Sequence, residues 1–261
     1  METAPIDDRG LLLGDGLFET ILAESGRLED FEVHANRMAR GCAVLGLPAP
    51  ERERLRQAAE GALDARGLGG VRAAVRLTWT AGSGGRGLER PDPPRPRLIA
   101  QASPAPAPRG PASLASVDIR RNPHSPASRL KTLSYLDNVL ARRAARAAGA
   151  DEALMLNVAG EIAGGAAANL FWVAGGRLLT PALDCGVLDG IKRGQVLAAA
   201  RRLGVDAREI RSGVEALAAA EGLFLTNSLI GLRPVARLDG RAIAPHPLVD
   251  QLMQAVEPSG I

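Results

Sequence analysis

Apolar and polar residues follow both strand and helix periods in the first hundred positions of the chain. Strict alternation over residues 71–80 predicts the clearest strand, and apolar residues at helical spacing predict helices over 31–45 and 51–65. Further strands are predicted at 18–23, followed by a turn at 25–27 and a short return strand, and at 98–102. Three glycines within residues 8–16 predict a tight loop.

Four prolines within residues 104–111 interrupt this pattern. Proline can neither donate a ladder hydrogen bond nor continue a helix, so we expect a linker at 104–112. It would join a small N-terminal α/β domain (1–103) to a larger C-terminal domain (113–261). There, the pattern predicts strands at 116–120, 152–158, 170–173, 178–180 and 222–226, helices at 136–148, 190–203 and 248–256, and a hairpin before the last helix. This irregular order favours an α+β fold over a doubly wound sheet.

The composition is that of a globular protein with a sizeable core, because 46% of the 261 residues are apolar. There is no run of 18 apolar residues, and the first eight residues are acidic, so neither a membrane segment nor a secretory signal is expected. Cys42 and Cys185 match no metal-ligand spacing. We interpret them as reduced thiols in a cytoplasmic protein without a metal site.

The charge balance favours a small anionic ligand over nucleic acid. The isoelectric point is about 9.4, but the net charge is only +3 and aromatic residues, which would stack on bases, make up 3% of the chain. A modest positive field suits an anionic substrate or cofactor.

Lysine is scarce, since only two of the 32 basic residues are lysine, Lys131 and Lys192. Arginine keeps its proton at any accessible pH, whereas a partly buried lysine can lose its proton and attack a carbonyl. Lys131 is therefore a candidate Schiff-base nucleophile. The alternative is that it is a chance survivor in a chain that otherwise prefers arginine.

Three short segments predict a phosphate site. Residues 190–192 open a helix, where backbone N–H groups and the helix dipole favour an anion. Residues 226–228 follow a strand and offer hydroxyls and backbone donors. Arg37 lies three residues after His34, on the same helical face. Together with a Schiff-base lysine, these segments predict pyridoxal phosphate, which needs an amine for its aldehyde and a cup for its phosphate.

Other sites are weaker in the sequence. The glycine-rich stretch at 82–87 lacks both the P-loop and the dinucleotide spacing, so we interpret it as a hairpin tip or as an active-site rim that presents Arg86 to a carboxylate. His34, His124 and His246 lie far apart, and none accompanies a nucleophile elbow, which leaves a hydrolase triad without support.

These motifs, taken in order, resemble the class IV (fold-type IV) aminotransferases, a group of pyridoxal-phosphate enzymes that includes branched-chain and D-amino-acid aminotransferases and 4-amino-4-deoxychorismate lyase. The matching segments are Asp-Arg-Gly at 8–10, Gly-Asp-Gly-Leu-Phe-Glu-Thr at 14–20, His-Ala-Asn-Arg at 34–37, residues 82–87, Lys-Thr-Leu-Ser-Tyr at 131–135, Ala-Asn-Leu-Phe-Trp at 168–172, Gly-Ile-Lys-Arg at 190–193 and Thr-Asn-Ser at 226–228.

The resemblance implies a role for individual residues. Lys131 would form the internal aldimine and carry the substrate's α-proton, and Arg37 would bind the phosphate. The other residues implied to contact cofactor are Tyr135 near the ring hydroxyl, the backbone of Ile191 and Lys192, and the hydroxyl of Ser228; Arg86 and Asn227 would contact substrate. It further implies two domains with the cofactor between them, and a homodimer whose partner lends part of each active site.

Two positions depart from the family. A glutamate that pairs with the pyridine nitrogen is replaced by Gly164, and its loss should raise the barrier to α-proton abstraction. Glu161 is three residues away and is expected at a solvated turn. The chain also begins close to Asp8, without most of the family's first strand. We expect either a weaker edge of the first sheet or a true start upstream of Met1.

Within the family, the loops favour one branch. The stretch at 82–87, Arg121-Asn122-Pro123, and 226–229 leading to Pro234 look most like aminodeoxychorismate lyase, which eliminates pyruvate and leaves 4-aminobenzoate. The alternatives are an aminotransferase that acts on branched-chain or D-amino acids with 2-oxoglutarate, and a catalytically weakened cofactor-binding relic, motivated by Gly164.

Overall fold

A computed structural model describes residues 5–256, which form two compact units. Unit 1 contains residues up to Ala107 together with Leu130–Ser134, and unit 2 contains Pro108–Arg129 and the residues from Tyr135 onward. The first four residues of the acidic lead and the last five of the predicted C-terminal domain lie outside the described residues. Among the described residues, no helix is long and apolar enough to cross a membrane.

Unit 1 is a four-stranded antiparallel sheet with two long helices. Its elements are α1 (Arg9–Leu13), β1 (Gly16–Glu24), β2 (Arg27–Leu28), α2 (Phe31–Leu45), α3 (Arg52–Asp64), β3 (Ala73–Thr80) and β4 (Arg97–Pro104). The strand order is β2-β1-β3-β4. Apolar residues of α2 and α3, such as Met38 and Leu55, are buried with Ile21 and Val75 of the sheet, which explains their helical and strand spacing.

The periodicity therefore predicted the strands and both long helices of unit 1 correctly. The loop expected at residues 8–16 was wrong, because a short helix forms there. The Asp8 side chain accepts a hydrogen bond from the Gly10 amide at 2.8 Å and begins α1. Gly14, with φ of 65°, ends it in the left-handed conformation that glycine tolerates.

The chain leaves unit 1 near the predicted linker and then returns to it. Pro104 still belongs to β4, where it is tolerated because β4 is an edge strand. Residues 130–134, which the sequence analysis placed in the second domain, lie along β1. The Phe18 amide donates to the Lys131 carbonyl at 2.9 Å, and the Leu133 amide donates to the Gly16 carbonyl at 3.0 Å. No local pattern in the sequence encodes this long-range pairing.

Unit 2 is a mixed nine-stranded sheet with helices. Its elements are β5 (Ala112–Ser116), α4 (Pro126–Arg129), α5 (Leu136–Ala147), β6 (Glu152–Leu156), β7 (Ile162–Gly165), β8 (Asn169–Ala174), β9 (Arg177–Pro181), α6 (Ile191–Arg202), β10 (Ala207–Ile210), β11 (Gly222–Asn227), β12 (Gly231–Leu238), β13 (Arg241–Ala242) and α7 (Pro247–Val256). The order is β10-β9-β8-β11-β12-β5-β6-β7, and β13 pairs with β12. Phe171 and Phe224 stack 5.0 Å apart in the core below α6 and α7.

Most elements of unit 2 match the predicted pattern, and the exceptions have physical causes. The strand predicted at 116–120 lies at Ala112–Ser116 instead, because β5 is held at that register by parallel pairing with β12 and β6. The strands β7 and β10 were missed, since β7 has three small residues after Ile162 and β10 carries two charged side chains among its four residues. Neither has the apolar alternation that marks a strand.

Candidate functional site

Lys131 is placed by β1. Besides the backbone hydrogen bond between Phe18 and Lys131, Lys131 Nζ lies 4.2 Å from the centroid of the Phe18 ring. The ring also has the guanidinium carbon of Arg76, on β3, at 3.7 Å. The lysine is half-buried, and Phe18 is buried. The amine of the candidate nucleophile is therefore held at a defined place in unit 1.

Arg37 and His34 lie on one face of α2, as their spacing predicts, and both contact the carboxylate of Glu19. Arg37 Nε and Nη2 donate to the two carboxylate oxygens of Glu19 at 2.8 and 2.6 Å. His34 Nδ1 lies 2.7 Å from Glu19 Oε2. Glu19, on β1, is almost fully buried, so its charge is compensated inside the protein.

The electrostatics of this network follow from burial and pairing. Burial alone would raise the pKa of Glu19, but hydrogen bonds and charge from Arg37, with a smaller contribution from His34, lower the pKa to about 2. His34 Nε2 is buried and has no hydrogen-bond partner among residues 5–256. A buried polar atom of this kind marks a place where a polar ligand atom would be stabilised.

Arg9 binds the last residue of the glycine-rich stretch at 82–87 and the two residues that follow it. Its guanidinium donates to the carbonyls of Leu88 and Glu89 at 2.8 Å each and to that of Gly87 at 3.4 Å. Arg86 is exposed. Its contact with a substrate carboxylate remains a prediction.

In unit 2, α6 begins at Ile191, directly after Gly190, close to the helix start that the sequence predicts. Gly190 precedes the helix with extended backbone and has no capping side chain. A Cβ at Gly190 would lie 2.0 Å from Asn169 Oδ1, and the Asn169 amide donates to the Leu188 carbonyl at 2.9 Å. Because the Asn169 side chain lies so close, position 190 has no room for a side chain. Only the backbone of Gly190 is present directly before α6. Ile191 and Lys192 therefore begin the helix at its positive end.

The turn after β11 is held by Asn227. Its Oδ1 accepts from the Leu229 and Ile230 amides at 2.9 and 3.0 Å, and its Nδ2 donates to the Ala167 carbonyl at 2.9 Å. Asn227 therefore shapes the turn that carries the half-buried Ser228. Substrate contact by Asn227, and phosphate contact by Ser228, remain predictions.

Tyr135 precedes α5 and lies in the electrostatic environment of a half-buried arginine, Arg121. Arg121 Nη2 donates to the Gly165 carbonyl at 2.9 Å. Burial lowers the pKa of Arg121, while Tyr135, Glu152 and Asp137 oppose that shift. Burial likewise raises the pKa of Glu152 against the effect of Arg142.

Gly164 is buried in β7, opposite Met155. Its φ is +100°, a conformation that residues with a side chain rarely adopt, and a Cβ would lie 3.2 Å from the Ala168 carbonyl oxygen. Glu161, the expected substitute, accepts a hydrogen bond from Asn157 at 2.7 Å and lies 3.7 Å from Arg211. It is thus engaged in its own turn.

We expect Gly164→Glu to lower the free energy of unfolding by about 1–3 kcal/mol, because the backbone conformation is strained for any side chain. Urea denaturation measures this change. Gly61→Glu is the matched control, since a Cβ there meets nothing within 4 Å. Equal stability of Gly164→Glu and the wild type would contradict the backbone strain that we expect for a side chain at position 164.

The residues fit pyridoxal phosphate, with one exception. Unit 1 offers the placed amine of Lys131, the guanidinium of Arg37 and the buried, unpartnered Nε2 of His34. Unit 2 offers the start of α6, where no side chain caps the first backbone N–H groups, which suits a phosphate. The exception is Gly164, which supplies no carboxylate.

Sequence reasoning missed Glu19 and Phe18 as parts of the site. Both lie in β1, and one signal for Glu19 was available, because a carboxylate stands between apolar residues in a predicted strand. Phe18 gave no such signal, since an aromatic residue in a strand is expected for packing alone.

Known proteins resemble this chain over most of its length. The family model "Amino-transferase class IV" matches residues 16–238. A Methanocaldococcus jannaschii protein named "Putative branched-chain-amino-acid aminotransferase" is 33% identical over 242 residues, which cover 90% of this chain and 83% of that protein. The aminodeoxychorismate lyase of Bacillus subtilis is 28% identical over 236 residues, 89% of this chain and 80% of the lyase.

A solved structure is similar over nearly the whole chain. It is a "hypothetical aminotransferase" from Mycobacterium tuberculosis in its PLP-bound form, with a TM-score of 0.87 and 26% identity. The match covers 98% of this chain and 93% of the other. The predicted two-domain, mixed helix-and-sheet fold is therefore confirmed.

Proposed function

The chain belongs to the class IV amino-transferase family of pyridoxal-phosphate-dependent enzymes, and we propose that it is an aminodeoxychorismate lyase. The substrate would be 4-amino-4-deoxychorismate and the products pyruvate and 4-aminobenzoate. The observation that carries the assignment of the reactive group is the placement of Lys131, whose backbone is bonded to β1 and whose amine lies on the Phe18 ring. The lyase of Bacillus subtilis supports the choice of reaction.

In this proposal each site residue has a role that follows from its chemistry. When bound, pyridoxal phosphate supplies an aldehyde for an amine and a ring that accepts electrons from the substrate. The amine of Lys131 holds the cofactor and moves a proton at the substrate's α-carbon. Arg37, kept in place by Glu19, and the backbone at the start of α6 bind the phosphate. Tyr135 and Ser228 are the remaining cofactor contacts in this proposal, and Arg86 and Asn227 contact substrate.

Gly164 motivates the relic as an alternative. Without a carboxylate at this position, the protein has lost one group that stabilises a protonated pyridine nitrogen. The backbone conformation at Gly164 disfavours any side chain. The absence of the carboxylate is therefore accompanied by a strand conformation in β7 that suits glycine. A relic would bind the cofactor through Lys131 and turn over neither lyase nor aminotransferase substrates.

An aminotransferase is the second candidate, favoured by the 33% identity to the protein named as a branched-chain enzyme. A paired assay separates the two. Purified protein is given aminodeoxychorismate, with pyruvate measured, and in parallel a panel of branched-chain and D-amino acids with 2-oxoglutarate, with glutamate measured. Pyruvate release alone supports the lyase. Glutamate formation alone contradicts it, and activity in neither assay supports the relic.

We also propose a homodimer, and unit 1 has a surface that suits it. Three consecutive leucines of α1 are exposed, Leu11 and Leu12 by 66% and 62%, and Leu88 is 85% exposed. Leu13 and Leu88 line a groove of about 500 Å³ whose charged residues, Arg9, Asp15 and Arg90, are paired with one another. An apolar cluster of this kind is typical of an interface, and a stable dimer buries about 800 Å² on each partner.

We expect Leu12→Glu to convert the dimer to a monomer, because the interface would bury an unpaired carboxylate. Size-exclusion chromatography with light scattering measures the mass. Val44→Glu, at another exposed apolar position of unit 1, should leave the dimer intact. A monomeric wild type would contradict the proposal. The cytoplasmic location stays a prediction.

A further inference from the structure

The amine of Lys131 contacts the side chain of the same residue that holds its backbone. Phe18 donates its amide to the Lys131 carbonyl at 2.9 Å, and its ring lies 4.2 Å from Lys131 Nζ. Phe18 is 5% exposed, so the ring is fixed by its surroundings. The attachment of Lys131 to β1 therefore has a backbone part and a side-chain part.

Arg76 contacts the Phe18 ring from β3, the strand that pairs with β1. Its guanidinium carbon is 3.7 Å from the ring centroid, and it extends from β3, which pairs with β1. The Phe18 amide points to residues 130–134, so this segment follows the edge of β1 that faces away from β3. The ring is therefore contacted by a guanidinium from the neighbour on one edge of β1 and by an amine from the neighbour on the other edge.

We infer that Phe18 is a positioning residue for the Lys131 amine, and that Arg76 acts through Phe18 by fixing the plane of its ring. The inference rests on the proposed role of Lys131. A lysine amine ends a flexible four-carbon chain, so without support it samples many positions. The protonated amine is attracted to the face of an aromatic ring, and this attraction favours the rotamers that keep Nζ over Phe18 until the proton is lost and the amine attacks. A nucleophile held in one direction of approach reacts faster than a mobile one.

The test measures where and how fast the amine reacts, without using enzyme turnover. Apoprotein is mixed with pyridoxal phosphate and cyanoborohydride, whose hydride makes attachment irreversible, and the modified Lys131 peptide is quantified by mass spectrometry. The same lysine is acetylated in a second sample with a small acylating reagent. The ratio of the two rates separates approach geometry from access, because only the bulky aldehyde needs a defined direction of approach.

Phe18→Leu should lower this ratio about three- to tenfold, the size expected from one lost cation–π contact, and Phe18→Tyr should keep it near the wild-type value. Phe31→Leu and Arg56→Gln are the matched controls. Phe31 is likewise a buried aromatic residue of unit 1, and Arg56 lies 4.1 Å over its ring. Both controls should leave the ratio unchanged. If Phe18→Leu does not fold, as judged by circular dichroism, Phe18→Met replaces it.

Arg76→Gln should lower the ratio by about two- to threefold, and should cause no further loss when Phe18 is already leucine. An Arg76→Gln effect that persists in the Phe18→Leu background would overturn its indirect role. An unchanged ratio in Phe18→Leu would overturn the role of Phe18. If the wild type itself is acetylated at Lys131 but never takes up the aldehyde, the proposed function fails instead, and the two failures are thereby distinguished.

Discussion

Replacement of Lys131 by arginine is expected to lower kcat by at least about a thousandfold and to abolish covalent attachment of the cofactor. Arginine keeps the positive charge and a similar length, but its guanidinium stays protonated and cannot attack an aldehyde. The fold should survive, because Lys131 is half-buried, its backbone hydrogen bond with Phe18 is unaffected, and a guanidinium can also lie on the Phe18 ring. Steady-state kinetics and the visible absorbance of the purified protein measure the two effects.

Lys131→Ala provides the control. It removes the amine and leaves a space, so a small primary amine added to the buffer should restore part of the activity to Lys131→Ala and none to Lys131→Arg. If Lys131→Arg keeps more than about a tenth of the wild-type kcat, Lys131 is not the reactive group.

Replacement of Glu19 by glutamine is expected to lower the free energy of unfolding by roughly 3 kcal/mol, because it leaves the charge of Arg37 without its buried partner. The same change should weaken phosphate binding, since Arg37 loses the carboxylate that orients its side chain. Denaturant unfolding and the affinity of the apoprotein for pyridoxal phosphate measure the two effects.

Glu32→Gln is the matched control for Glu19→Gln. Glu32 also pairs with arginines, Arg52 and Arg56, but it is exposed. An exposed ion pair contributes at most about 1 kcal/mol, so this variant should remain close to the wild type. Equal destabilisation by both variants would contradict the importance assigned to the buried network.

The Glu19 network also gives a pH dependence with a definite sign. The pKa of Glu19 is lowered from 4.5 to about 2 in the folded protein. Its contribution to stability is therefore fully present above pH 4.5 and is lost as the pH falls from 4.5 to 2. The wild type should lose about 3 kcal/mol more than Glu19→Gln over this interval, and parallel profiles would contradict the assignment.

The hydrophobic pattern was sufficient to predict the bounds of a helix that buries one face. Helix α2 has the bounds that its spacing predicted, because Phe31, Met38 and Cys42 all face the core. The exposed leucines of α1 form no amphipathic pattern, so their spacing did not predict this helix. Helix α1 is set by a cap at Asp8 and a left-handed glycine at Gly14 rather than by an amphipathic pattern.

The candidate site was predictable in its residue types but not in its contacts. The scarcity of lysine and the segments at 190–192 and 226–228 indicated pyridoxal phosphate without a structure. Glu19 is 18 residues from Arg37, and Phe18 is over a hundred residues from Lys131. Such pairs are formed by the fold as a whole, so no local spacing encodes them.

The attachment site of the cofactor tests the central claim most directly. The purified protein, saturated with pyridoxal phosphate, is reduced with borohydride and digested, and the peptides are sequenced by mass spectrometry. Because the chain has only two lysines, the result is unambiguous. We expect one phosphopyridoxyl group on Lys131 and none on Lys192. Modification of Lys192 alone, or of neither lysine, would contradict it.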